Sequence, residues 1–318
     1  MSYVTIQNVL SASGVFWSTF LIYLALTKSP SVMRPCVIII VIKSTTDLMA
    51  SILNFLLKER IISNGAIIFV ISEGPCSLES HQFCFSSHVI FLSLLQQNLV
   101  WMICSYVFRY YILKYKDPSL IAFLFTAIVT YFPLFINSSF WINTFNIWAA
   151  NSDQHGPRLF SKPGDLVMAG WVVDQFNMMS LAFLMVTSVV TFCGSLWIRH
   201  FLVRFLKEKT ARLSKTTILL NMQLVKALHL QSAIPILTFL AVLNLIFMHY
   251  SLIGPIRLQA ISSAIFAATL SIFPISYILF LPPFFKFCIA NPGRMAVRKI
   301  KGKMNSEVTA VTSYSIHN

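Results

Sequence analysis

The sequence predicts an all-α membrane protein: a bundle of seven transmembrane helices with its N-terminus outside the cell and its C-terminus in the cytoplasm. Three observations carry this. Of 318 residues, 57% are hydrophobic and only 11% charged, whereas a soluble domain carries about 25% charged residues. Seven apolar runs are each close to the length that crosses a hydrocarbon core of about 30 Å. The basic residues gather between alternate runs, so the net charge of +14 reads as a topology signal and not as a nucleic-acid surface.

The spans are predicted over residues 4–26, 36–57, 88–113, 119–141, 176–198, 227–248 and 259–281. The first follows neither a basic n-region nor a small-residue cleavage site, so it reads as a retained signal-anchor. It ends at Thr27-Lys28-Ser29-Pro30, and the second at Lys58-Glu59-Arg60. Residues 61–72 are apolar but too few to cross, which suits an extracellular loop or a shallow re-entrant piece. The third span runs into Arg109, Lys114 and Lys116; the fourth holds Pro133, where a kink is expected. A polar stretch over residues 143–175 then precedes the fifth span. Residues 199–226 are basic and continue the fifth and sixth helices into water. Pro235 lies in the cytoplasmic half of the sixth span, and Pro282-Pro283 ends the seventh. Residues 1–284 thus form one membrane domain, followed by a cytoplasmic tail, 285–318, that is basic and then rich in Ser and Thr. No internal repeat of the transporter kind is present.

Orientation follows from lysine and arginine. With the N-terminus outside, 18 of the 24 basic residues fall on the inner side, and six of the ten acids fall on the outer side with five basic residues. That asymmetry fixes N-out, C-in.

Several polar residues lie inside these runs. Lys43 and Asp47 are four apart and share one face of the second helix. Asp47 lies roughly 16 Å from the inner end at 1.5 Å per residue, while Lys43 is shallow enough to snorkel. The pair reads either as structural glue or as a switch centre; a proton relay has only this one acid to support it. Gln96, Gln97 and Asn98 form a polar knot in the third span, and Asn177, Asn244 and Gln259 bring amides from other helices. Such amides serve either interhelical hydrogen bonding or a ligand pocket between helices. His88, Asp174 and His249 stand near the outer mouth, where an interfacial role is the plain alternative. Cys76 and Cys84 lie outside, with seven residues between them; they either pair in the oxidising exterior or remain free or differently paired. Cys36, Cys104 and Cys193 fall at or within apolar runs and read as packing residues. Asn137 heads the only glycosylation sequon, close to the end of the fourth span. Cys288 follows Phe284-Phe285-Lys286-Phe287 and is either a palmitoylation site or a plain buried thiol. Pro274 and Tyr277 form a P-x-x-Y low in the seventh span, where the proline permits a kink and the tyrosine can turn into the bundle. The sequence holds no G-x-S-x-G, H-E-x-x-H or P-loop, and no zinc-like Cys/His spacing. Neither an enzyme nor a cofactor is expected.

Four stretches together resemble a known family: Ser105-Tyr106-Val107-Phe108-Arg109-Tyr110-Tyr111, Gly74-Pro75-Cys76, Thr45-Thr46-Asp47-Leu48, and the run from Lys226 to Pro235. In order and spacing they are similar to the nematode serpentine chemoreceptors, G-protein-coupled receptors, and most closely to class delta, over about residues 1–290. The resemblance implies detection of a small environmental molecule at the plasma membrane of sensory neurons, often in cilia. It also implies coupling to a heterotrimeric G protein through Arg109, Tyr110, Arg204 and Lys207, with Asp47, Pro235, Pro274 and Tyr277 as switch positions. Two features depart from the rhodopsin-like pattern. Phe108 stands where an acid would lock Arg109, and Phe273 stands before Pro274 where asparagine is usual. The rival classes are a small-solute transporter or channel, and an orphan scaffold. The orientation is checked with epitopes: one at Met1 stains intact cells, and one at Asn318 stains only after permeabilisation.

Overall fold

The computed structural model describes residues 3–29, 34–64, 67–114, 125–132, 135, 138, 166–171, 175–208, 215–249 and 256–289. In chain order these form α1 (Tyr3–Lys28), α2 (Arg34–Leu57), β1 (Glu59–Asn64), β2 (Ile67–Ser72), a 3-10 turn (Pro75–Leu78), α3 (His81–Lys114) and α4 (residues 125–132). Then come β3 (Leu166–Trp171), α5 (Gln175–Glu208), α6 (Lys215–Gln231), α7 (Ala233–His249), α8 (Ile256–Phe280) and α9 (Pro282–Ile289).

Among the described residues six helical stretches are long and apolar enough to cross a membrane: Val4–Lys28, Cys36–Leu57, His81–Ile112, Ala182–Phe205, Met222–Phe247 and Ile261–Phe280. These correspond to the first, second, third, fifth, sixth and seventh spans read from the sequence. The α4 piece lies within the predicted fourth span, most of which falls outside the described residues, as do Pro133, Asn137 and residues 290–318. The helices close a ring: α1 packs on α2 and α8, α2 on α3, α3 on α5, α5 on α7, and α7 on α8.

The distribution of side chains is that of a protein solvated by hydrocarbon. Phe16, Phe183, Val186, Val190, Trp197 and Leu240 point outward, while Gln7, Lys43, Asp47, Asn54, Gln97 and Arg109 are buried. Lipid offers no hydrogen bonds, so polar groups turn inward and find one another there. Asn54 on α2 donates to Ser11 Oγ on α1 at 2.7 Å. Tyr131 on α4 stands between Thr46 on α2, 3.0 Å from its hydroxyl, and the Trp101 indole N–H on α3, at 3.1 Å.

Residues 59–72 correct the sequence reading, which made residues 61–72 a loop or re-entrant piece. Glu59–Asn64 and Ile67–Ser72 pair as antiparallel strands with Ile61 opposite Val70 and Ile62 opposite Phe69. The signal was present in Asn64-Gly65 between two apolar runs. Alternate residues serve opposite faces: Ile61 and Val70 join the main core, and Ile62, Phe69 and Ile71 form a cluster of their own. β3, from the predicted polar stretch, pairs along β2 with Phe69 opposite Ala169. A backbone ladder therefore ties that cysteine-free stretch to the hairpin. The sheet packs on α8, α7 and α3 at one end of the bundle, hereafter the sheet end. Arg109 marks the opposite, arginine end.

Below the sheet, Cys76 and Cys84 are joined in a disulfide, which fixes the 3-10 turn to the start of α3. Lys58 ends α2 in the left-handed conformation (φ 44°), and its N–H donates to the Asn54 carbonyl at 2.9 Å. Gly74 then passes so close to α2 that an added Cβ would strike the Leu56 carbonyl. Only glycine fits there.

The α6–α7 boundary falls inside the sixth span. Pro235 has no N–H for the carbonyl of Gln231 four residues earlier, and the helix breaks at Ser232, whose N–H and Oγ turn back to His229 and Leu228 carbonyls. α8, by contrast, runs unbroken through Pro274. At Leu281 it gives way to α9, which Pro282 and Pro283 open as prolines can at a helix start.

Gly74→Ala is expected to destabilise the chain by about 1–3 kcal/mol through overpacking, read as a lowered thermal midpoint in detergent. Gly194→Ala on α5, whose Cβ would meet Ile103 at an ordinary 3.8 Å, is the control and leaves the midpoint unlowered.

Candidate functional site

Three helices meet at a buried charge. Lys43 and Asp47 are one turn apart on α2, with Lys43 Nζ 3.3 Å from Oδ1 and 3.2 Å from Oδ2. Asn98 on α3 accepts from the same ammonium through Oδ1 at 3.3 Å. The third side of the ammonium lies over the Phe273 ring of α8, 3.1 Å from its centroid. Lys43 is 2% exposed, so it does not snorkel although its depth would allow it. The carboxylate, the amide and the ring all lie inside, and reaching the surface would forfeit all three. In a low-dielectric interior each of these contacts is stronger than in water.

Phe273 leads on to the other end. Its ring meets Tyr277, one turn along α8, edge-on at 5.1 Å between centroids. The Tyr277 hydroxyl accepts from Arg109 Nη2 of α3 at 3.1 Å. Arg109 is 3% exposed, and its Nη1 has no partner among the described residues. The acid that Phe108 replaces is therefore answered by a tyrosine from another helix. One turn before Arg109, Ser105 donates to the Trp101 carbonyl at 2.7 Å, and Tyr106 is wholly buried against Leu202 of α5 and Val225 and Leu228 of α6. Gln231, the last residue of α6, donates to Ser276 Oγ of α8 at 2.5 Å. Arg109 is thus enclosed by α3, α6 and α8.

The other predicted site residues divide. Tyr110 packs edge-on against Phe205 of α5 at 5.6 Å, and Arg204 is exposed beside it. Pro235 and Pro274 are buried. Of the amides read either as interhelical glue or as a ligand pocket, those described turn to different neighbours. Gln97, with its amide set to suit its neighbours, donates to the Thr130 carbonyl of α4 at 3.2 Å and accepts from Trp101 at 3.0 Å. Asn244 donates to Ser262 Oγ across α7 and α8 at 2.9 Å. Gln96 is buried. Only Asn98 lines the void beside the Lys43–Asp47 pair, with Leu95, Ile234, Thr238 and Phe273. Its volume of about 20 Å³ suits one water, far below the several hundred Å³ of a small-molecule pocket. The side chains of Asn177, Gln259 and Lys207 lie outside those described.

Sequence reading missed Phe273 as a contact residue, although Phe273 and Tyr277 share a face at a spacing of four. It also missed Glu59, whose Oε1 lies 2.6 Å from His88 Nδ1 beneath the sheet. Nothing local announces that pair, because 29 residues separate its members. Of the free cysteines, Cys36 is buried, whereas Cys193 and Cys288 are exposed. On α9, partial burial raises the Cys288 thiol above its ordinary range. No group of three His, Cys, Asp or Glu side chains converges as a metal site among the described residues.

The model of the serpentine type 7TM GPCR chemoreceptor Srd family matches residues 3–290. Among curated relatives, serpentine receptor class delta-28 of Caenorhabditis elegans is 36% identical over 291 residues, covering 92% of this chain and 90% of the relative. Class delta-30 of the same organism is 36% identical over 282 residues, covering 89% and 86%.

Lys43→Met leaves a buried, uncompensated Asp47 and is expected to cost about 3–5 kcal/mol of stability. Lys43→Met combined with Asp47→Leu is expected to recover most of that loss. Thermal unfolding of both in detergent decides it: a double variant as weak as the single one would remove the pair from the account.

Proposed function

The chain belongs to the Srd family of serpentine seven-helix chemoreceptors, and from that premise we propose that it detects a small environmental molecule and activates a heterotrimeric G protein. The single observation that carries the reading is the buried Arg109–Tyr277 contact. It joins the inner end of the third span to the P-x-x-Y of the seventh.

In this reading the N-terminus is outside, and the arginine end faces the cytoplasm. The bundle, residues 1–284, is the receptor, and residues 285–318 are its cytoplasmic tail. The plasma membrane of a sensory neuron, its cilium in particular, is the expected location of this multi-pass membrane protein. The sheet lies over the outer end, so a small molecule reaches the bundle past it. Gln96, Gln97, Asn98, Asn177, Asn244 and Gln259 are the amides available to meet that molecule when the helices part.

The resting arrangement encloses Arg109 behind Tyr277 and α6. The break at Ser232, beside Pro235, lets α6 swing while α7 stays in the ring. Such a swing parts Gln231 from Ser276 and withdraws Val225 and Leu228 from Tyr106. Arg109 and Tyr110 are then uncovered to the G protein, and Arg204 and Lys207, further coupling residues in this reading, belong to the last turns of α5. A ligand drives this only by binding the open bundle better: shifting the ratio from 1:99 to 99:1 takes a differential of about 5.5 kcal/mol.

The test is guanine-nucleotide exchange on purified G protein with the chain in nanodiscs, run against an odorant panel. Arg109→Ala is expected to abolish ligand-dependent exchange. Tyr277→Phe removes the hydrogen bond that holds the arginine back, worth about 1.5–3 kcal/mol for a charged donor, and is expected to raise ligand-free exchange. Unchanged exchange in Arg109→Ala would remove the arginine from the coupling surface.

A further inference from the structure

Between α5 and the α6–α7 break lies a cleft of about 690 Å³ whose lining includes the exposed Leu196, Leu230 and Ile236. It extends along α5 from Phe192 to Val203, roughly 16 Å at 1.5 Å per residue. Its deeper part is apolar, walled by Phe192, Leu196 and Ile236, and Phe280, the last residue of its span, lines it from α8. Arg199 from α5 and Lys226 and His229 from α6 line it nearer the arginine end, and no carboxylate lines it among the described residues.

The charges sit at a telling depth. Arg199 is six residues inside the end of its span at Phe205, and Lys226 four residues inside the end of its span at Met222. That is about 9 Å and 6 Å along the helices, within the reach of long side chains toward the headgroup layer. Lys226 and His229 are exposed. Cations at the lipid-facing edge of hydrocarbon are costly unless an anion meets them, and none of the cleft's own residues supplies one. Two different helices present positive charge at the same level, with an apolar channel continuing below. A soluble anion would leave that channel unfilled, and a neutral lipid would leave the charges unmet.

We propose that this cleft binds an anionic phospholipid, its phosphate held between Arg199, Lys226 and His229 and one acyl chain laid along Leu196 and Ile236. This is the arrangement expected of a basic pocket between transmembrane helices. The site is separate from Arg109, which is enclosed on the inner side of the same helices. The proposal requires no ligand or G protein, and it stands or falls apart from the receptor reading.

The full chain in detergent is titrated with phosphatidylglycerol, phosphatidylcholine and glycerol phosphate, and bound lipid is counted by native mass spectrometry. Phosphatidylglycerol is expected to bind at least about tenfold tighter than phosphatidylcholine, a difference of about 1.4 kcal/mol. Arg199→Gln with Lys226→Gln is expected to abolish that preference. Ile236→Trp, which fills the channel and keeps the charges, is expected to weaken phosphatidylglycerol without restoring phosphatidylcholine, and it is read alone if the double variant loses its helical circular dichroism. A native-like preference in the double variant, or native-like phosphatidylglycerol affinity in Ile236→Trp, would overturn the proposal. So would glycerol phosphate binding as tightly as the lipid, which would make the site one for a soluble anion.

Discussion

Lys43 carries an ammonium group into the middle of a bundle whose outside is hydrocarbon, and the surrounding helices have to answer it. Isolated, such a charge would cost far more than any one contact returns. It is met from α2 by Asp47, from α3 by Asn98 and from α8 by Phe273. Three helices distant in sequence are thereby fixed in rotation and in height relative to one another. An apolar cluster would tolerate a slip of part of a turn; these directional contacts would not. Ion pairs of this kind are weak sources of net stability, so what the pair contributes here is placement.

That placement reaches the arginine end through α8. Once Phe273 is set on the ammonium, the helical period puts Tyr277 on the same face one turn lower, and its hydroxyl meets Arg109. The same α3 that presents Asn98 to the lysine presents Arg109 to the tyrosine eleven residues on, three turns along one helix. The two polar centres are therefore one constraint seen at two levels, sharing α3 and α8. α6 belongs to neither centre. It touches this axis through Gln231 on Ser276, through apolar packing on Tyr106, and through Leu224 and Ala227 in the core that holds Phe273 and Tyr277.

Much of this was legible in the sequence. The apolar runs for the first, second and seventh spans lie within a few residues of α1, α2 and α8, because hydrocarbon thickness allows few other lengths. α3, by contrast, begins seven residues before its run, and α5 continues ten beyond. Lys43 and Asp47 announced themselves as charges where charge is rare, and Arg109 by its place at the end of the third run. What could not be read were contacts made by residues of ordinary type. Phe273 is one phenylalanine among 28, and only the neighbouring helices turn it into a cation's partner. The hairpin was misread for a related reason: six-residue apolar strands look like fragments of a span when hydropathy is the guide. Gly74 could be noticed in the sequence, but its necessity lies in the Leu56 carbonyl above it. The amides of α3 were read as one polar knot because they are neighbours in the chain. Successive helical residues point about 100° apart, and Gln97 accordingly turns to α4 while Asn98 turns to α2.

The break at Ser232 acquires its meaning from this arrangement. Were the sixth span one unbroken rod, moving its lower half would drag α7 against α5 and α8, at a cost in packing along the whole ring. A proline-induced break localises the motion, since the hydrogen bond that would oppose bending there is already missing. The lower half, α6, meets the axis through the Gln231–Ser276 bond, the cluster around Tyr106, and Leu224 and Ala227 in the main core, none of them a directional contact to a buried charge. The part of the bundle free to respond is thus the part that the buried lysine does not reach, and it is also the part that covers Arg109.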